Sequence, residues 1–443
     1  MNQENEGNQS IFPKKSPEEI KDQLKSFLRR KILSIRNYIF TFLKWAVVAG
    51  VTGCTGGFIG GLFHESVKYV TELHNANPFL LYFLPFAGLL LVLMYRGLKF
   101  DSDPGTNIVI NSVRSHNEVP ILIAPLIFAA TVITQLFGGS AGREGAALQL
   151  GGSIGRQMGG IFRLDEKDMH IAIMCGMSSV FSALFGTPLT AVIFAIEVIS
   201  VGVFYYSALV PCLIASLSGF AVSSLMGAAP LYFAVEHFPD IEILTLLRVL
   251  LLGVLCAVVS IIFCITLKNT AKLFKKLFKN SYIRIFVGGL IVVILTLIIN
   301  THRFNGTGME YIERVFNGGQ VVWFDFIMKI IFTAVTISAG FKGGEIVPTM
   351  FIGTAFGYFA GSLLGLDPQF GAAIGLVATF CGVVNCPVAS IILSVEIFGA
   401  HGLIFFAVAV SVSYMLSGYY GLYSSQKILY SKLKAEYINI NAK

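Results

Sequence analysis

The feature that most restricts this chain is a succession of long apolar stretches that hold almost no charge. Ile39–Phe63, Phe79–Tyr95, Ile121–Phe137, Ala208–Met226, Leu244–Leu267, Ile283–Asn300, Phe324–Ala339 and Leu403–Ser417 reach or approach the roughly 20 apolar residues that cross a bilayer. Only 13% of residues are charged, where a soluble domain carries about a quarter. Between these stretches lie shorter, glycine-broken ones: Gly142–Met158, Ile171–Phe185 and Pro348–Leu364. A helix that stops inside lipid needs protein or a water-filled cavity to cover its free backbone groups. The expected fold is therefore all-α, a polytopic membrane protein with broken and partial-span helices.

The net charge of +7 sits in three clusters that flank apolar stretches, which argues against nucleic acid and for the lipid bilayer as partner. The first holds Lys14, Lys15, Lys21, Lys25, Arg29, Arg30, Lys31 and Arg36. The second holds Lys268, Lys272, Lys275, Lys276, Lys279 and Arg284, and the third Lys427, Lys432 and Lys434. Basic flanks face the cytoplasm, so both termini are expected there, in a multi-pass protein of the plasma membrane. With Ile20, Leu24, Phe27 and Leu28 interleaved, the first cluster reads as an amphipathic surface helix or a solvated basic tail. The first ten residues are polar, with Glu4 and Glu6, and do not form a cleavable signal. After Tyr423 only about twenty residues follow, so no appended cytosolic domain is expected. The seven cysteines lie in apolar segments without metal-ligand spacing and are expected as buried small hydrophobes. No organic cofactor or metal is implied.

The chain repeats itself at an offset near 199. Thr187-Pro188 through Ile196-Glu197 answers Cys386-Pro387 through Val395-Glu396, with nine residues from Pro to Glu in both. Ser140-Ala141-Gly142 is matched to Ser338-Ala339-Gly340, and Gly151, Gly152 and Gly155 to Gly353, Gly357 and Gly361. The division this suggests is a basic segment 1–36, a first half 37–240, a second half 241–438 and a tail 439–443. Paired halves with Gly/Pro-interrupted helices point to a transport site where they meet. There, free N–H groups and the positive end of each broken helix receive an anion. Alternating access leads one to expect the halves to be inverted.

Four motifs could carry the chemistry. Gly142-Arg143-Glu144-Gly145-Ala146 puts a carboxylate at the start of a Gly-rich half-helix, and an ionisable residue within the membrane is functional by default. Glu144 can sit where an anion sits and leave when protonated; pairing with Arg143 is the structural alternative. Gly343-Gly344-Glu345-Ile346-Val347-Pro348 offers a second helix start, with the Ile346 and Val347 N–H groups facing a site. For Glu345, capping and proton handling both stand. Asp103-Pro104-Gly105-Thr106-Asn107 is a turn that starts a helix, with a hydroxyl on Thr106. Gly421-Leu422-Tyr423-Ser424 supplies a phenol, or merely an interfacial tyrosine.

Together these motifs resemble the CLC family of chloride channels and anion/proton antiporters, from about residue 39 to 438. The resemblance implies anion contacts at Thr106, Gly145, Ala146, Ile346, Val347 and Tyr423, with gating and proton coupling at Glu144 and Glu345. It further implies a homodimer with one pathway per subunit, with the apolar faces after Pro188 and Pro387 as candidate contacts. Chloride is the family's default ion. Many chloride/proton antiporters carry a second glutamate after the Glu197 position, where Val198 stands here. Val198 and Glu345 lean towards the fluoride-exporting branch, whereas Thr106 is a chloride-type hydroxyl, and Val347 stands where that branch usually has Thr. Ile346 takes the place of the usual gate Phe. A fluoride/proton antiporter and a passive chloride channel are the alternatives.

One rival of another class remains. Gly138-Gly139-Ser140-Ala141-Gly142 spells the nucleophile pattern of serine hydrolases, but such a serine needs a histidine base. His64, His74, His116, His237 and His302 fall near segment ends, and His170 and His401 do not sit on a following Gly-rich helix. An intramembrane protease, the one enzyme reading, is accordingly set aside.

Overall fold

The computed structural model describes residues 17–100, 105–114 and 119–443. Lys14, Lys15, Glu4, Glu6, Asp103, Pro104 and His116 lie outside the described residues. The chain forms two compact units, Met1–Val47 and Val48–Lys443. In the first, residues 17–47 are helical and expose Leu24, Phe27, Leu28 and Ile32.

Helix α1 (Pro17–Ala76) is uninterrupted at Arg36. A 3-10 turn (Pro78–Phe83) feeds α2 (Leu84–Gly97), followed by the short α3 (Asn107–Ser112) and α4 (Ile123–Leu136). Then come α5 (Glu144–Ile161), α6 (Glu166–Phe185), α7 (Pro188–Glu197), strand β1 (Ser200–Val201) and α8 (Leu209–Leu225). The remainder runs through α9 (Ile243–Leu277), α10 (Ser281–Ile299), α11 (Met309–Phe316), α12 (Asp325–Ala339) and α13 (Ile346–Leu363). It ends with α14 (Pro368–Val384), α15 (Pro387–Phe398), α16 (Leu403–Leu416), β2 (Lys427–Tyr430) and β3 (Tyr437–Asn441). Among the described residues, seven helical segments are long and apolar enough to cross a membrane. The protein is a mostly helical membrane protein.

Three particulars differ from the sequence expectation. A small sheet joins β1 parallel to β2 and β2 antiparallel to β3; the alternation in Tyr437-Ile438-Asn439-Ile440 is its period-two signal. Cys54 is exposed, unlike the other six cysteines, because an apolar side chain on a lipid-facing helix needs no protein cover. The register of the repeat is also corrected. Gly142 and Gly344 exchange backbone hydrogen bonds of 2.6 and 2.8 Å, an offset of 202 (142 to 344). At that offset α3, α4, α5 and α6 start where α11, α12, α13 and α14 start. Ser338-Ala339 is the last turn of α12, whereas Ser140-Ala141 lies beyond the end of α4, so these are not equivalents. The offset returns to 199 at Pro188 and Pro387 because α14 has 17 residues where α6 has 20.

The polar contacts across the repeat come in reciprocal pairs, the signature of a two-fold relation. Ser140 N–H donates to Thr336 Oγ1 and Lys342 N–H to Thr134 Oγ1. Glu396, in α15, accepts from the N–H groups of Leu189 and Thr190 at 2.8 Å each, and so caps α7. Glu197, in α7, accepts from Val388 and Ala389 at 3.2 and 2.9 Å, and so caps α15. The nine-residue spacing thus serves mutual capping: each proline needs no N–H at the helix start, and each glutamate supplies the anion that the other start needs. Replacing Glu197 by Ala leaves the buried Ala389 N–H and the less buried Val388 N–H without their acceptor. We expect it to destabilise the protein by about 2 kcal/mol or more, read as a lower midpoint of thermal unfolding in detergent. Replacing the half-exposed Glu396 should cost less.

Candidate functional site

The site lies where the two broken helices α5 and α13 begin. Glu144, the first residue of α5, is fully buried, and its Oε2 accepts from the Val347 N–H at 3.2 Å. The carboxylate of one half is thus seated on the helix start of the other. Glycine is required at the crossing. A Cβ on Gly344 would lie 2.5 Å from the Gly145 nitrogen and 2.9 Å from Glu144 Oε2. The second oxygen, Glu144 Oε1, is buried without a partner.

Thr106 joins this centre directly, its hydroxyl donating to the Gly145 carbonyl at 3.2 Å. Gln149, one turn further along α5, donates Nε2 to the same carbonyl at 3.2 Å. The Tyr423 turn is tied to the Thr106 turn: Ser425 N–H donates to Asn107 Oδ1 at 2.9 Å, and the Arg114 guanidinium reaches the Ser425 carbonyl. Tyr423 is buried, its hydroxyl lacks a partner, and it interacts electrostatically with Glu345 and Glu144. Ala146 and Ile346 are buried in the first turns of their helices.

Two cavities meet this centre. One, of about 700 Å3, is lined by Gly105, Thr106, Gln149 and Glu345, and also by Lys268, Lys275 and Arg284. The other, of about 510 Å3, is lined by His64, Lys68, Arg143, Thr307, Glu313 and Val347. Burial and the neighbouring Glu310 raise Glu313 above the usual carboxylate range. Equivalent residues open onto opposite cavities: Gly105 and Thr307 at the 202 offset, and likewise Glu345 and Arg143. The two-fold that relates the halves thus exchanges the two cavities, as inverted halves do.

Two residues escaped the sequence reading. Lys329, in α12, is fully buried, donates to the carbonyls of Phe304 and Gly306 at 3.1 and 2.9 Å, and lies 5.3 Å from the Phe351 ring centre. It interacts electrostatically with Glu144; a lysine inside Phe326-Ile327-Met328-Lys329-Ile330-Ile331 is the signal that could have found it. Gln149 gave no comparable signal. Ser140 shares a hydrogen bond of 3.1 Å with Thr333 Oγ1 and is fully buried. Both of its bonds go to α12 and neither to a histidine, so it ties the halves together.

Inverted halves, broken helices that meet head to head, and a buried carboxylate between two cavities define a membrane anion transporter. Residues 87–418 match the family described as voltage gated chloride channel, well over half of the sequence. A chloride/fluoride channel protein of Pseudomonas syringae pv. tomato is 31% identical over 417 residues, 93% of this chain and 91% of the relative. The crystal structure of a CLC-type fluoride/proton antiporter superposes with a TM-score of 0.84 at 31% identity, covering 87% of this chain and 98% of that one. A slow cyanobacterial chloride/proton antiporter has the same fold, with a TM-score of 0.73, 19% identity, and coverage of 84% and 94%. This chain belongs to the CLC family, and transmembrane halide transport is its function.

Proposed function

We propose that this chain is a fluoride/proton antiporter whose anion path is formed by Thr106, Gly145, Ala146, Ile346, Val347 and Tyr423, with Glu144 and Glu345 handling protons. Glu144 accepts the Val347 N–H that an anion would otherwise take. Once protonated it has little claim on that donor, so proton and halide exchange places. The observation that carries the choice of ion is Glu345, half-buried on the same cavity as Thr106. A carboxylate beside an anion path repels its cargo, but a carboxylic acid is a strong hydrogen-bond donor. Fluoride is a base of carboxylate strength and rewards such a donor, whereas chloride is a far weaker acceptor. Val198 supports the reading, since this buried apolar residue offers no acid where chloride/proton antiporters often have one. The Thr106 hydroxyl favours chloride as the second reading.

The chain carries out no covalent chemistry and needs no cofactor in this reading. It works as a homodimer of the plasma membrane, with both termini in the cytoplasm. Lys268, Lys275 and Arg284 on its lining support a cytoplasmic position for the larger cavity. The exposed Leu189 and Val388, just after the two prolines, offer apolar contacts to a partner subunit.

Ion efflux from reconstituted vesicles tests the assignment. Fluoride should leave about tenfold faster than chloride or more, a transition-state preference of about 1.4 kcal/mol, and protons should move inward with it. Equal or faster chloride efflux overturns the choice of ion. Fluoride efflux without proton movement overturns antiport.

A further inference from the structure

We propose that Gln149 is a positioning residue on the proton route, holding a water between Glu345 and Glu144; the assignment rests on the antiport reading above. Gln149 is 2% exposed and lines the larger cavity together with Thr106 and Glu345. The orientation of its amide is dictated by chemistry. The Gly145 carbonyl can only accept, and it accepts from both Thr106 Oγ1 and Gln149 Nε2, so the amide nitrogen must face it. That leaves Oε1 pointing elsewhere, buried and without a partner.

A bare acceptor costs free energy when nothing donates to it, and beside an anion path it repels the cargo. Only a proton-bearing partner makes use of it. A single water fits the requirement: it donates one O–H to Gln149 Oε1 and its oxygen receives the proton of the Glu345 carboxyl. As that O–H bond breaks, the water's second O–H passes its proton to the Glu144 carboxylate. One proton leaves Glu345, one arrives at Glu144, and the water is unchanged. With valine at 198, this acceptor gives the larger cavity a proton relay that does not require an acid at that position.

The test measures fluoride efflux and proton uptake in the same vesicles for the native protein, Gln149→Leu, Gln149→Met and Gln149→Glu. The Leu and Met variants remove the acceptor, while Thr106 still satisfies Gly145. The number of protons moved per fluoride should fall about tenfold or more in both, and Gln149→Glu should recover at least half of the native ratio. A variant that is merely misfolded slows both fluxes together, so an unchanged ratio in either the Leu or the Met protein overturns the assignment. Native protein that moves fluoride with no proton overturns the antiport reading and this one with it; native coupling alongside a coupled Leu variant overturns Gln149 alone.

Discussion

Glu144→Gln should let fluoride run down its gradient while proton uptake disappears, the largest functional effect expected of any single substitution in this chain. The carboxylate holds the Val347 N–H at 3.2 Å, and in the proposed exchange it competes with the transported ion for that seat. Glutamine keeps the length of the side chain but cannot be protonated and carries no charge. Its carbonyl competes for the N–H as a neutral acceptor, roughly half as strongly as an ionised one. The seat is therefore open to fluoride at every pH, and no step in the cycle takes up a proton. Coupling should drop by about 100-fold or more, with fluoride efflux insensitive to pH where the native rate varies. Vesicle efflux followed by a fluoride electrode and a pH electrode together reads both quantities. A Gln variant that still carries protons would show that another group is the carrier, and Glu345 on the larger cavity would be the first to examine.

The charge lost in the Glu144→Gln protein also matters for Lys329. This ammonium is fully buried with two carbonyls as its acceptors, and the carboxylate of Glu144 is its electrostatic counterpart. Keeping a buried cation costs free energy unless something negative visits nearby. Under the proposed exchange, a site alternately occupied by a carboxylate and a halide would meet that condition throughout the cycle. The positive ends of α5 and α13 act in the same direction, so the seat combines the backbone donors of both helices.

How much of this was legible beforehand depends on whether the signal is local. Apolar stretches fixed most spans, since length and hydropathy are properties of a segment alone. α14 is a 17-residue apolar helix, too short to stand out as a span by hydropathy. The helix-start motifs were found for a similar reason: a glycine pair followed by a carboxylate has few structural uses in lipid. Register was harder. Ser140-Ala141-Gly142 and Ser338-Ala339-Gly340 look alike because small residues gather at helix ends generally, and only the Gly142–Gly344 bonds reveal the true pairing. The mutual caps show the same limit. Glu197 and Glu396 were visibly matched, but that each serves the other's helix is a fact of tertiary structure. Gln149 was beyond reach, since its importance rests on which way one amide is turned.

Alanine at Gly151, Gly176, Gly353 or Gly375 should leave little folded protein, whereas alanine at Gly160 or Gly50 should be harmless. The difference follows from what surrounds each position. A Cβ on Gly151 would fall onto the Gly176 carbonyl oxygen and one on Gly176 onto that of Gly151. The second half repeats the interlock with Gly353 and Gly375, and Gly357 with Gly371. These are backbone contacts, so no side chain can turn aside to make room. In the membrane such close approach is itself the source of helix association, because lipid tails offer no hydrophobic drive between helices. Overpacking of a side-chain core costs about 1–3 kcal/mol, and against rigid backbone the cost should reach or exceed the upper end of that range. Gly160 and Gly50 have nothing within 4 Å of a built Cβ, so alanine there should stabilise its helix by up to about 1 kcal/mol. Heating detergent-purified variants and following the surviving monodisperse fraction separates the two sets. Function adds a sharper discriminator. α5 carries Glu144 at its start and is held to α6 by this interlock, so even a variant that folds should displace the carboxylate from Val347. Transport should then fail in folded material from the interlocked set, and persist in the Gly160 and Gly50 proteins.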